Sequence, residues 1–129
     1  MLLDSNIIIY AARPEHPELR SFIAEHAPAV SAVSYVEVLG YHKLTEQERQ
    51  FFEMFFAAAN VLPISDEVLK HAVKLRQSKK MTLGDALIAG TALAHDLTLV
   101  TRNIEDFDWI ENLRLLNPFA SDSKADQNP

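Results

Sequence analysis

The chain has 129 residues, with 18 Asp and Glu against 12 Lys and Arg, a net charge of −6, no cysteine, and 48% hydrophobic residues with only 3 Gly and 6 Pro. That length and apolar content suit one globular domain with a buried core. The missing cysteines exclude disulfides, thiolate metal sites and cysteine nucleophiles, and the acidic balance argues against a basic nucleic-acid-binding module.

The apolar run at residues 1–3 predicts a short buried strand, after which Asp4 or Ser5 can cap a short helix through Ala12. Pro14 allows a new helix over residues 15–26, residues 29–31 read as a second strand, and a helix follows over residues 32–43. Thr45-x-x-Glu48 is a capping box for a helix to Ala59, whose Phe51, Phe52, Phe55 and Phe56 stripe is either core or a dimer face. Residues 61–64 are β-prone but contain Pro63, which suits an edge strand or a strand end. Ser65 caps a helix to Ser78, residues 82–94 form another, residues 97–100 a buried strand, and residues 113–116 a last strand. The polar stretch after Pro118 reads as a loose tail.

Strands alternating with helices imply an α/β layered fold around a mainly parallel central sheet flanked by helices. No uncharged apolar run approaches about 18 residues and no basic leader precedes an apolar core, so a soluble, cytoplasmic protein without a membrane span is expected.

Asp4 stands between Leu2-Leu3 and Ile7-Ile8-Ile9. Isolated buried charge costs several kcal/mol unless it is paired, hydrogen-bonded or neutralised by a metal. In an open α/β sheet, functional groups gather at the carboxyl ends of the strands, near a topological switch point. Asp4 ends the first strand, Glu37 lies between Val36 and Val38 early in the helix after the second, Asp85 lies in a first helical turn, and Asn103 and Asp106 follow the fourth strand. All five converge on one edge. Singly, they fit structural roles: Ser34-x-x-Glu37 and Thr82-x-x-Asp85 have capping-box spacing, and Asn103-x-x-Asp106 fits a turn. Capping does not explain acids in apolar surroundings or four carboxylates with no local Arg or Lys, whereas a hard divalent cation, Mg²⁺ or Mn²⁺, supplies that charge.

The motifs Asp4-Ser5-Asn6, Ser31-x-x-Ser34-x-x-Glu37-Val38-x-Gly40, Asp85-Ala86-Leu87-Ile88-Ala89 and Leu99-Val100-Thr101-Arg102-Asn103-x-x-Asp106-Phe107 resemble, in order and spacing, the PIN-domain family. The short length and the Thr-Arg-Asn-x-x-Asp-Phe ending look like VapC-type toxins of bacterial toxin–antitoxin pairs. The resemblance implies a PIN-like three-layer nuclease domain over residues 1–119, with residues 120–129 as a flexible polar tail. It implies a metal-dependent endoribonuclease whose acidic cluster is Asp4, Glu37, Asp85 and Asp106, supported by Ser5, Asn6 and Thr101. Some members carry an acid where this chain has Asn103, which leaves the number of bound ions, one or two, open. The resemblance also implies homodimers and a cognate antitoxin.

In-line attack on an RNA phosphodiester uses ions that activate water and steady the leaving oxygen, and carboxylates suit this because they bind ions without being consumed. The five histidines lie away from the acid motifs and do not support a histidine-pair mechanism. Lys70, Lys74, Arg76, Lys79 and Lys80 fit a solvated helix face or, alternatively, phosphate contacts with RNA. Two other readings compete. One is a non-catalytic PIN-like module that binds RNA or protein; the other is an aspartyl-phosphate enzyme, which wants a second acid where Asn6 stands.

Overall fold

A computed structural model describes residues 1–119, and the expected tail at 120–129 lies outside the described residues. In chain order the elements are β1 (Leu2–Leu3), α1 (Ser5–Ala11), α2 (Pro17–His26), β2 (Ala29–Ser31), α3 (Ala32–Leu39), α4 (Glu46–Ala58), β3 (Val61–Leu62), α5 (Asp66–Ser78), α6 (Leu83–Ala94), β4 (Leu99–Val100) and β5 (Leu115–Leu116). The strands form one sheet in the order β3-β2-β1-β4-β5, and every neighbouring pair is parallel. This is the expected α/β fold with a parallel sheet and helices on both faces.

Strand alternation builds the two helical layers. Leu2, Ala29 and Leu99 belong to one core cluster with Leu75 of α5 and Ile88, Ala89 and Ala92 of α6. Their neighbours Leu3, Val30 and Val100 point the other way, into a second cluster with Ile7 and Ile8 of α1, Leu19 of α2, and Phe52 and Phe56 of α4. Successive strand residues face opposite sides, so apolar pairs such as Leu2-Leu3 are needed where both faces are covered.

Several element bounds differ from those expected, each for a local reason. β4 starts at Leu99 rather than Leu97, because Asp96 takes φ 52° and the Leu97 N–H still bonds to Ala92 O. α3 stops at Leu39 rather than running to Lys43, capped at Gly40. β3 ends before Pro63 and lies on an edge, as Pro requires. The phenylalanine stripe divides: Phe52 and Phe56 are core, Phe51 is 37% exposed and Phe55 is half-buried. No helix among the described residues is long and apolar enough to cross a membrane.

Candidate active site

From β1 the chain proceeds outward through β2 to β3, then returns to the other side of β1 for β4 and continues to β5. The crossover direction therefore reverses between β1 and β4, and a crevice opens beyond their carboxyl ends. Asp4 follows β1 and Thr101 follows β4, and the two side chains meet across that crevice.

Asp4 is 3% exposed. Its Oδ1 accepts the Ser5 N–H at 2.8 Å, and its Oδ2 accepts the Thr101 hydroxyl at 2.8 Å. Thr101 Oγ1 in turn accepts the Asn103 N–H at 3.0 Å, which directs the hydroxyl proton toward Asp4. These bonds favour the carboxylate, yet burial outweighs them, and with the charges of Asp85 and Glu37 it pushes the Asp4 pKa up to about 6. No cation is paired with Asp4 among the described residues.

Asp85 occupies the first turn of α6, where Thr82, the N-cap, accepts its N–H at 3.1 Å. Part of the capping reading is therefore correct for this pair. Partial burial raises the Asp85 pKa, against the Thr82 bond, and the charges of Asp106 and Glu37 raise it further. Asp106 closes a 3-10 turn over Ile104–Asp106, with its N–H donating to Asn103 O at 3.1 Å, as the turn reading expected. Asp4 thus feels the charges of Asp85 and Glu37, and Asp106 joins the group through Asp85.

Glu37 departs from expectation in two ways. It is exposed rather than enclosed in apolar surroundings, because α3 turns it toward solvent beside Val36, itself 67% exposed. Nor does it cap: the N-cap of α3 is Ser31, which accepts the Val33 N–H at 3.1 Å. Instead, Ser5 Oγ lies 2.8 Å from both Glu37 Oε1 and Ser34 Oγ. A hydroxyl carries one proton, so the carboxylate takes it and Ser34 donates into the Ser5 oxygen. The other Glu37 oxygen rests on Gly84, where an added Cβ would stand 2.5 Å from Oε2.

Gly84 is the site residue that the motifs did not single out, and Ser34, quoted there as a capping residue, instead bonds Ser5. A glycine in the first turn of a helix, directly before an acid, signals a close approach, since its propensity there is poor. Among the remaining candidates, Asn6 is exposed and Asn103 enters through its backbone N–H. Of the basic run, Lys70 and Lys74 line a recess with Leu69, Val73 and Gln77, Lys79 Nζ sits 5.5 Å from the Trp109 ring centre, and none forms a salt bridge with an acid among the described residues.

Among the described residues no group of three acidic or imidazole side chains stands in metal-ligating geometry. The donor set still fits a hard cation, for one buried carboxylate and three neighbouring acids repel one another and share no basic partner.

The family model described as the PIN domain matches residues 1–111. A relative named ribonuclease VapC2, from Rickettsia felis, is 30% identical, the alignment covering 90% of this chain and 96% of the relative. Among solved structures, a toxin–antitoxin complex from Klebsiella pneumoniae aligns with TM-score 0.73 and 31% identity, covering 91% of this chain and 96% of the other. VapBC2 from Rickettsia felis, bound to a DNA fragment from its promoter, aligns with TM-score 0.79 and 26% identity, covering 90% and 96%.

Proposed function

The chain belongs to the PIN-domain family, and on that footing we propose that it is a metal-dependent endoribonuclease, the toxin of a toxin–antitoxin pair acting on RNA in the cytoplasm. The observation that carries this reading is Asp4, a carboxylate 3% exposed at the switch point, bonded to groups that orient it and facing the charges of Asp85 and Glu37, with Asp106 beyond Asp85. Asp4, Glu37, Asp85 and Asp106 would hold Mg²⁺ or Mn²⁺, one ion or two, and a bound ion supplies Lewis acidity toward the phosphate and a water of lowered pKa.

The chain's own residues prepare that site. Thr101 and the Ser5 N–H fix both Asp4 oxygens, so the carboxylate has little rotational freedom left to lose on binding. Ser5 holds Glu37 by one oxygen and Gly84 lets the other approach α6 beside Asp85. The relatives whose structures are solved as toxin–antitoxin complexes support a cognate antitoxin as partner. Exposed Tyr35, Val36, Ile64 and Leu83 provide apolar surface for protein association, consistent with a homodimer as well.

The test is incubation of the purified chain with mixed cellular RNA in Mg²⁺, Mn²⁺ or EDTA. Fragments that form with either ion and vanish in EDTA are expected. RNA binding without cleavage in any ion would replace the nuclease with a non-catalytic PIN-like module.

Gly84→Ala provides a sharper check on the site's construction. Gly84 has no positive φ, and alanine is favoured over glycine inside a helix by up to about 1 kcal/mol, so the melting temperature is expected to hold or rise. The new methyl group displaces the Glu37 carboxylate, and cleavage is expected to drop about 10–100-fold, the range for losing a group that orients metal ligands. Wild-type turnover in this variant would remove Glu37 from the site.

A further inference from the structure

The site's negative charge poses a question that the four acids cannot answer: what attracts the RNA strand to them? Beside Asp106 lies a polar recess of about 390 Å³, walled by Arg102, Asn103, Ile104, Glu105 and Asn117. That volume lies within the range of small-ligand sites, about 300–1,000 Å³. The Arg102 guanidinium packs 4.5 Å from the Phe119 ring centre and 5.1 Å from that of Tyr10, and the two rings meet edge to face at 5.7 Å. Arg13 packs on the same Tyr10 ring at 5.0 Å. Neither arginine pairs with a carboxylate among the described residues.

Stacking uses the flat face of a guanidinium and leaves its N–H edge to donate. Asn117 Oδ1 accepts the Phe119 N–H at 3.0 Å, which turns the amide so that its NH₂ remains for a ligand. Two sets of donors therefore face a recess whose other side is Asp106. We propose that this recess is the subsite for the RNA nucleotide next to the scissile bond, with Arg102 and Asn117 donating to its phosphate and Asn103 and Glu105 placed for its base edge. The proposal rests on the endoribonuclease reading, and it assigns substrate capture to residues outside the basic run at 70–80.

Arg102→Gln and Asn117→Ala are the test, read by cleavage kinetics and by binding of a short single-stranded RNA in EDTA at several salt concentrations. Losing one charge-assisted contact is expected to raise KM about tenfold for Arg102→Gln, with the loss mainly in KM. The salt dependence of binding is expected to flatten by about one unit of slope. Arg102→Lys, which keeps charge but loses the planar fork, is expected to recover the slope and only part of the KM. Wild-type KM and salt slope in Arg102→Gln, with or without a lower melting temperature, would overturn the subsite and leave the nuclease intact. RNA binding that weakens in Arg102→Gln while the wild type cleaves in no ion would overturn the nuclease and the assignment to a scissile bond, leaving the recess as an RNA phosphate site only. Wild-type protein that neither binds nor cleaves RNA would remove both.

Discussion

Asp4→Asn is expected to cut RNA cleavage to about a thousandth or less, because it removes one unit of charge from the one carboxylate held rigidly at the switch point. The same variant is expected to melt higher than the wild type in EDTA at pH 7.5. The Asp4 pKa is pushed up to about 6 from an ordinary 3.8, so its ionised form opposes folding by about 3 kcal/mol at neutral pH. Asn keeps an oxygen for the Ser5 N–H but turns an NH₂ toward Thr101, whose own proton loses its acceptor, so the net gain is nearer about 1–2 kcal/mol. Both halves of the result come from one experiment each, a cleavage time course and a thermal melt. Full activity in Asp4→Asn would dismiss the site altogether, and a lower melting temperature would show that Asp4 contributes as an anchor rather than as strained charge.

The second large effect is a reversed pH dependence of stability that a divalent ion removes. An acid whose folded pKa is raised stabilises the fold fully below its unfolded pKa, and that contribution is lost as pH rises through the folded value. For Asp4 the window runs from about 3.8 to about 6, and Asp85 shifts in the same direction. In EDTA the melting temperature is therefore expected to fall, through these two groups, between pH 5 and pH 7. Mn²⁺ binds only the ionised, assembled site, so it is expected to raise the melting temperature at pH 7.5 and hardly at pH 5. At 100 times its dissociation constant the ion adds about 2.7 kcal/mol. Asp4→Asn and Glu37→Gln should both blunt that response. Identical melts with and without Mn²⁺ at pH 7.5 would leave no assembled metal site.

The sheet was legible because apolar pairs such as Leu2-Leu3 and Leu99-Val100 serve both faces of a buried parallel strand, and Pro63 marked the edge correctly. Asp4 was legible for the same reason, as a charge where both neighbours demanded burial. Glu37 was found by motif for the wrong reason: flanking valines suggest burial, but α3 turns Val36 and Glu37 outward together. The Phe51–Phe56 stripe could not be divided from periodicity alone, since how deep α4 sits against α1 and α2 depends on tertiary packing. Gly84 acts through a contact with Glu37 far away in sequence, which no local pattern encodes, and the motif that named Ser34 gave it a capping role rather than its bond to Ser5.

The Asp4–Thr101 bond joins residues 97 apart, and the central strand β1 is flanked by β4, which follows β2 and β3 in the chain. A chain still being made therefore holds Asp4 without Asp85, Thr101 or Asp106 until all the elements between them have been added. A fragment that ends before Thr101 lacks the hydroxyl that orients Asp4, and one that ends before residue 106 lacks the last of the acids. For a protein read as a toxin, that delay gives the cell time: an inhibitor made alongside can be folded and waiting before the first competent active site closes.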